Sequence, residues 1–217
     1  MKITTAKNKQ WPHHIDVLSM LFGCLLGDGH GEIRSKKRTV RFSLQQENSN
    51  VEYLMWFHKF LASRGYCCMK QPKLYKRIGK RNKVRFYYRI NTYSFANLVW
   101  FYDAFYVHGP ENTRVKKVPD RDFLELYLTP LAIAVWFMED GSVSSAGAKI
   151  ATNSFNLEDL QRVKEFFLSK YNIECSIQSV GAAGQHVLYF YKRSMPMFSK
   201  LIKKYMVSSM HYKLNSY

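Results

Sequence analysis

Two apolar runs, each ending in an acidic residue and a glycine, constrain this chain more than any other feature. The first run, at residues 21–29, has the sequence LFGCLLGDG, and the second, at residues 131–141, has the sequence LAIAVWFMEDG. An apolar run of this length with no charge before its end predicts a helix that is buried on most of its surface. We expect Gly29 and Gly141 to end these helices at the left-handed C′ position, which places Asp28 and Asp140 in the last turns.

A carboxylate in the last turn of a helix is electrostatically unfavourable. The C-terminal end already carries about half a negative charge, so two such positions in one chain predict a bound cation. Gly23 and Gly27 lie on one helical face and would let the second helix approach closely. If the helices pack parallel, Asp28 approaches Asp140, and two adjacent carboxylates with oxygen-only ligation suit Mg²⁺.

The overall charge indicates a polyanionic partner. The 217-residue chain has a formal net charge of +17 and is 47% hydrophobic, so it is long and apolar enough for a real core. Residues 1–117 carry 22 lysines and arginines against 7 acidic residues, whereas residues 118–217 carry 11 against 9. Charge alone fits a ribosomal or membrane-surface protein as well as a nucleic-acid enzyme.

The spacing of the cysteines and the length of the apolar runs argue against a zinc-binding protein and a membrane-spanning protein. Cys24, Cys67, Cys68 and Cys175 lack the spacing of a zinc site, and we predict reduced core thiols in an intracellular protein. Neither apolar run reaches the roughly 18–20 residues that a membrane span needs. No targeting peptide is evident at the N-terminus, and we expect no membrane partner.

The predicted elements follow the same order in two halves. The first half has strands at 39–45 and 83–91, helices at 50–64 and about 94–106, and a basic loop at 70–81. The second half has strands near 149–153, 173–178 and 187–191, and helices at 156–171 and 195–205. Asp28 and Asp140 are separated by about half the chain. We therefore predict a duplication with a pseudo-twofold axis, with halves 1–119 and 120–217, a linker at 119–130 and the two apolar helices paired at the centre.

The first-half strands alternate apolar residues with residues that recognise bases. Val84, Phe86, Tyr88 and Ile90 are expected to face the core. The outward residues, which suit base edges in the major groove, are Thr39, Arg41, Ser43, Gln45, Lys83, Arg85, Tyr87 and Arg89. The basic loop offers phosphate contacts at Lys70, Lys73, Lys76, Arg77, Lys80 and Arg81. The alternative is a solvated basic surface with no partner.

The two runs resemble the signature of LAGLIDADG homing endonucleases. The resemblance spans nearly the whole chain and includes residues 116–119 (KKVP), 152–155 (TNSF) and 210–214 (MHYKL). It implies an α+β monomer of two αββαββα halves whose signature helices pack at the interface and whose antiparallel sheets form a saddle over DNA. Glu139 replaces the usual small residue, Val135 the packing glycine, and Asn215 a proline, but neither aspartate is affected.

The resemblance implies a divalent-metal-dependent enzyme that hydrolyses both strands of a long DNA site and leaves 3′ overhangs. It assigns Asp28 and Asp140 as catalytic metal ligands, with Gly27 and Glu139 beside them, and Lys116 and Lys213 as assisting lysines. The expected site is about 20 base pairs. Mg²⁺ is the expected cofactor, with Mn²⁺ as a substitute and Ca²⁺ supporting binding without cleavage. Further expected DNA contacts are Arg34, Lys149, Asn153, Gln178 and Lys192.

Two other functions are compatible with the same scaffold. An intron maturase would bind its own intron RNA, and a regulator would bind duplex DNA without cutting it. Retention of both aspartates and both lysines favours the endonuclease. An intron-encoded member would be expected in an organelle, a mitochondrion or a chloroplast.

Overall fold

The computed structural model describes residues 12–34, 39–79, 82–145, 147–181, 185–215 and 217, apart from the side chain of residue 112. The first series of elements is α1 (Ile15–Leu26), β1 (His30–Arg34), β2 (Thr39–Glu47), α2 (Val51–Ser63), β3 (Leu74–Ile78), β4 (Val84–Asn91) and α3 (Val99–Phe105). A short hairpin, β5 (Tyr106–His108) and β6 (Arg114–Lys116), and α4 (Arg121–Tyr127) follow it.

The second series repeats the order of the first. It consists of α5 (Pro130–Asp140), β7 (Gly141–Ser144), β8 (Gly147–Ala151), α6 (Leu157–Tyr171), β9 (Cys175–Ser179), β10 (His186–Phe190) and α7 (Met195–Ile202). Each series forms an antiparallel four-stranded sheet with the same topology, β1-β2-β4-β3 and β7-β8-β10-β9. These matching αββαββα series confirm the predicted fold class.

The chain folds into two compact units. The first comprises Met1–His13 and Asp28–Trp100, and the second comprises His14–Gly27 and Phe101–Tyr217. Helix α1 therefore belongs to the second unit, together with α5. The halves 1–119 and 120–217 describe a repeat in the sequence, and that division stays a prediction. No helix among the described residues is long and apolar enough to cross a membrane.

The first unit buries one face of its sheet against α2. Val40, Phe42 and Leu44 of β2 are buried, as their alternation predicted, and α2 covers them with Leu54 and Phe57. Farther along the sheet, Val84 and Phe86 of β4 are 43% and 46% exposed. The prediction that both face the core was wrong, because burial requires a covering element as well as an alternating strand.

Two predicted irregular segments contain regular structure. The basic loop contains β3, which pairs with β4 from Leu74 opposite Tyr88 to Ile78 opposite Val84. The linker at 119–130 contains α4, which begins at the Asp120 cap and buries Leu124. Basic composition hid β3, whereas α4 was missed because its seven residues lie between Pro119 and Pro130, which together are typical of a linker.

The glycines that follow the two aspartates do not adopt the predicted left-handed conformation. Left-handed glycines in the described chain are Gly65 and Gly181. Helix α1 ends at Leu26, so Asp28 lies just beyond it, whereas Asp140 is the last residue of α5 as predicted. Gly141 is extended, with φ −80° and ψ 149°, and a Cβ there would collide with Phe137. Close packing, not φ, therefore requires this glycine.

Candidate active site and nucleic-acid interface

Helices α1 and α5 pack in parallel inside the second unit. A Cβ on Gly23 would lie 2.9 Å from the Val135 Cβ, and one on Gly27 would lie 3.0 Å from the Glu139 Cβ. The contact advances by four residues on both helices, which means that they point the same way. The prediction that Gly23 and Gly27 permit close approach is confirmed.

Local sequence signals position the start and the end of α5. The Thr129 hydroxyl accepts a hydrogen bond from the Ala132 N–H, and Pro130 occupies the first turn. Residues 131–138 are all buried, and half-buried Glu139 and Asp140 complete the helix. Because α1 ends at Leu26, the chain places Gly27 and exposed Asp28 directly after it.

Two lysines donate hydrogen bonds to carbonyl groups at the ends of these helices. Lys116 of β6 donates from Nζ to the Gly27 carbonyl at 2.9 Å. Lys213, in the 3₁₀ segment Ser208–Leu214, donates from Nζ to the Met138 carbonyl at 2.6 Å and is only 9% exposed. Helix C-termini leave carbonyls without intrahelical partners and favour cations, so the Lys213 ammonium is held in the last turn of α5 and the Lys116 ammonium at the residue that follows α1.

Gln46 and Asn50 form a hydrogen-bonded chain to Asp28 within the first unit. Gln46 Nε2 lies 2.6 Å from Asp28 Oδ2, and Asn50 Nδ2 lies 3.0 Å from Gln46 Oε1. An amide nitrogen donates and an amide oxygen accepts, so Gln46 presents its NH₂ group to Asp28 and its oxygen to Asn50. Asn50 must then donate, which fixes the direction of the whole chain.

Sequence reasoning missed Gln46, although a signal for it was present. The predicted strand ended at Gln45, while β2 continues to Glu47 and buries Gln46 on the same face as Val40, Phe42 and Leu44. A buried polar residue at a core-facing position of a strand requires a hydrogen-bond partner. Continuing the alternation by one residue would have identified it.

The second unit has a different residue at the position equivalent to Gln46. His30 pairs with Ser43 and Ser142 pairs with Lys149, so Gln46 and Thr152 each lie three residues beyond corresponding pairs. The Thr152 hydroxyl donates to the His186 carbonyl at 2.7 Å. The two units are therefore chemically unequal beside their aspartates.

The oxygen donors at the helix ends are compatible with a hard divalent cation. Glu139 and Asp140 offer carboxylates in the second unit, and Asp28 offers one in the first unit. No group of three or more His, Cys, Asp or Glu side chains is clustered in the described part of the chain. Mg²⁺ commonly uses only one or two carboxylates together with water and phosphate oxygens. Glu139 packs its carboxylate against Gly27. The metal-ligand roles of Gly27, Asp28, Glu139 and Asp140 stay predictions.

Most base-contact candidates of the first half share one face of the first sheet. Alternation and register place these on that face: Arg34, Thr39, Arg41, Ser43, Gln45, Arg77, Arg85, Tyr87 and Arg89. Lys76 lies on the opposite face beside Phe86, so the structure separates it from this set. Lys70, Lys73 and Lys83 are exposed next to β3 and β4, and Lys80 and Arg81 lie outside the described residues.

Several arginines on this polar face form hydrogen-bonded ion pairs with glutamates. Glu32 accepts hydrogen bonds from Arg34 at 2.7 Å and Arg41 at 2.5 Å, and the bond from Arg34 keeps the pKa of the Glu32 carboxyl below its ordinary value. Arg85 donates to Glu47 at 2.7 Å. Such exposed pairs contribute little stability but orient the guanidinium groups.

The polar face of the second sheet carries fewer of the predicted contacts. Lys149 pairs with Tyr189, and Gln178 lies on the same face. Asn153 and Lys192 are exposed just beyond the ends of β8 and β10. This weaker positive character follows the uneven charge of the two halves of the sequence.

Comparisons with known proteins agree on one family. The profile of the LAGLIDADG DNA endonuclease family matches residues 18–198. The cytochrome b mRNA maturase bI2 of Saccharomyces cerevisiae is 36% identical over 212 residues, which are 97% of this chain and 50% of that protein. An intron-encoded endonuclease of Dictyostelium discoideum is 32% identical over 160 residues, 72% of this chain and 97% of that protein.

A solved structure shows the same fold. The homing endonuclease I-WcaI, determined bound to its DNA recognition sequence, superposes with a TM-score of 0.77 at 19% sequence identity and covers 97% of this chain and 94% of that chain. The chain spans about half the length of the yeast maturase that it matches.

Proposed function

This chain belongs to the LAGLIDADG DNA endonuclease family, and we propose that it is a site-specific endonuclease that hydrolyses both strands of duplex DNA. The observation that carries the proposal is the parallel pair α1 and α5, with Asp140 ending α5, Asp28 following α1, and one lysine bonded at each helix end. The proposed product has 3′ overhangs, and the proposed site is about 20 base pairs long.

Asp28 and Asp140 would hold divalent cations, Mg²⁺ in the first place, with Mn²⁺ as a substitute and Ca²⁺ as a cation that supports binding without cleavage. The cation would supply Lewis-acid stabilisation of the negative charge that develops on the phosphate and on the leaving 3′ oxygen. Gln46 would orient the Asp28 carboxylate by donating to Oδ2. This role rests on the 2.6 Å distance between the two side chains.

Lys116 and Lys213 would stabilise the charge of the reacting phosphate, one lysine for each strand. Their ammonium groups are held by backbone carbonyls, so little reorganisation is needed when negative charge develops near them. Lys213 is nearly excluded from solvent, and its electrostatic effect is accordingly screened less than that of a surface lysine.

The polar faces of the two sheets would bind the duplex. Arginine, glutamine and tyrosine side chains on the first sheet offer donors, acceptors and a stacked ring pair at Tyr75 and Tyr87, whose centroids are 5.5 Å apart. The neighbouring lysines would contact phosphates and supply affinity rather than sequence discrimination.

The decisive experiment is sequencing of new DNA ends after a randomised duplex library is incubated with the protein and Mg²⁺. We expect the ends to converge on one long motif with a staggered 3′ overhang, and to be absent with Asp140→Asn. An uncut library from which the wild-type protein still enriches one duplex in Ca²⁺ would instead identify a DNA-binding regulator.

Intron RNA maturation is the second candidate function. It is favoured by the 36% identity to a cytochrome b mRNA maturase, which covers 97% of this chain. Splicing of a cognate intron that persists with Asp28→Asn and Asp140→Asn would establish it as a separate activity. We further propose that the protein is a monomer. We also propose that it is encoded within an intron of an organellar gene, a proposal that the names of these two relatives support.

A further inference from the structure

A shallow cleft of about 600 Å³ lies at the end of β10 in the second unit. It is lined by Tyr189, Tyr191, Lys192, Arg193, Pro196 and Tyr217. Its volume is in the range of sites that bind small molecules. Four of its six lining residues are aromatic or carry a planar guanidinium group, so its walls are suited to stacking against a flat ring.

Two tyrosines form walls at nearly a right angle. The Tyr189 and Tyr191 rings have centroids 5.8 Å apart and an interplanar angle of 80°. Tyr189 comes from the polar face of β10, and Tyr191 comes from the turn that follows. Rings in this arrangement can present a face and an edge to the same ligand.

Arg193 is fixed in a defined orientation beside these rings. Its Cζ lies 4.5 Å from the Tyr191 ring centroid. The Glu174 carboxylate, just before β9, accepts two hydrogen bonds from Arg193, one from Nε at 3.0 Å and one from Nη2 at 2.6 Å. This bidentate pairing sets the guanidinium plane over Tyr191 and neutralises its charge locally, so the stack is ordered before any ligand arrives.

Lys192 is the second positively charged side chain that lines the cleft, besides Arg193. It is exposed on the same turn, between the two residues that form the Tyr191–Arg193 stack. An aromatic cleft with an adjacent ammonium group matches the two parts of a nucleotide, because the base stacks and the phosphate pairs with the cation.

We propose that this cleft binds an unpaired nucleotide of an RNA. Bases inside a duplex are stacked on both faces and cannot enter a concave site, whereas bulges and loops of folded RNA offer splayed bases that stack on tyrosine or arginine. The duplex on which the proposed endonuclease acts does not present such bases. The inference therefore goes beyond DNA cleavage and assigns a surface to an RNA partner.

The test measures the affinity for a fluorescein-labelled 12-nucleotide single-stranded RNA by anisotropy. Tyr191→Ala should weaken binding about tenfold because it removes a stacking surface, and Tyr191→Phe should stay within about twofold because the ring remains. Because Tyr189 and Lys192 border the proposed DNA interface, some loss of duplex binding is compatible with the proposal, but in Tyr191→Ala it should be clearly smaller than the loss of RNA binding. Tyr75→Ala is the matched control, since it removes a tyrosine from the polar face of the first sheet. It should weaken the binding of duplex DNA and leave the affinity for the RNA unchanged.

Cross-linking provides a test that does not depend on how the variants fold. RNA containing 4-thiouridine should cross-link in the wild-type protein at Tyr189 or Tyr191, as mapped by mass spectrometry. Cross-links confined to other segments would overturn the proposal. So would an equal loss of duplex binding in Tyr191→Ala, which would make the cleft part of the DNA interface, or equal affinity for single-stranded DNA of the same sequence. These readouts are independent of whether the endonuclease proposal holds.

Discussion

At the scale of single residues, the chemistry of the proposed active site depends on two carboxylates at two helix ends. We expect Asp28→Asn and Asp140→Asn each to lower the rate of double-strand cleavage by about a thousandfold or more, because each removes an anionic ligand while preserving shape. Plasmid cleavage measures the loss, and duplex binding in Ca²⁺ is the control that should be retained. Full cleavage by either variant would contradict the assignment.

Asn50 sets the direction of the hydrogen bonds that reach Asp28. Asn50→Asp replaces the donor to Gln46 Oε1 by an acceptor, so Gln46 can no longer satisfy both neighbours. We expect Mn²⁺ affinity and cleavage to fall about tenfold, as for other residues that orient metal ligands. Because the second unit has Thr152 at the position equivalent to Gln46, its aspartate does not depend on such a glutamine, so one strand should be affected more and nicked plasmid should accumulate.

Ser49→Asp is the matched control for Asn50→Asp. It adds the same charge at an exposed neighbouring residue that takes no part in the bonds to Asp28. If both variants lose the same activity, charge rather than the direction of the hydrogen bonds is responsible. Thermal unfolding of both variants separates these effects from loss of the fold.

The four cysteines differ in exposure, which corrects the prediction that all are core thiols. Cys68 is exposed, and the other three are buried. Burial raises the pKa of the Cys67 and Cys175 thiols to about 12. Since the thiolate is the reactive form, we expect iodoacetamide at pH 8 to modify Cys68 alone in the native protein and all four in denaturant. Mass spectrometry counts the adducts, and rapid native labelling of Cys175 would contradict the structure.

At the scale of elements, the close contact of α1 with α5 places the two helix ends together in the second unit. Gly23 supports this contact because a Cβ would meet the backbone of Ala132 and the side chain of Val135. We expect Gly23→Ala to destabilise the protein by about 1–3 kcal/mol through overpacking. Thermal unfolding should show a lower Tm than the wild type.

Gly79→Ala is the control for that substitution. A Cβ at Gly79 would lie 3.6 Å from the Lys83 carbonyl oxygen, an ordinary contact. Its Tm should change little. Equal destabilisation by both variants would mean that loss of glycine itself, and not the tight helix contact, is responsible.

Sequence patterns identified most helices and strands, but they failed for elements whose conformation depends on a distant partner segment. The helix α6 starts after its Asn156 cap and ends at Tyr171 as predicted, since both signals are local. Strand β3 was missed because its apolar residues Leu74 and Ile78 are exposed, at 49% and 64%, and are surrounded by basic residues. Propensity and period do not reveal a strand whose partner, β4, supplies most of the reason for its conformation.

At the scale of the whole molecule, the positive charge should govern DNA affinity. We expect binding of duplex DNA to weaken steeply with salt, and Lys83→Ala to reduce the slope of log K against log salt by about one while weakening specific and non-specific sites alike. Titrations at several salt concentrations measure this slope. A loss restricted to one sequence would instead assign Lys83 to base recognition.

The amino-acid sequence by itself determined the helices α2 and α6, the strands β2, β4 and β10, the apolar character of α1 and α5, and the positions of the acidic residues at their ends. These properties are local, because they depend on periodicity, capping and glycine spacing within each segment. Only the tertiary structure decided that Gln46 bonds to Asp28, that Lys116 and Lys213 bond to helix-end carbonyls, and that Phe86 is exposed. These facts depend on which distant segments cover or reach a residue, and no local pattern contains that information.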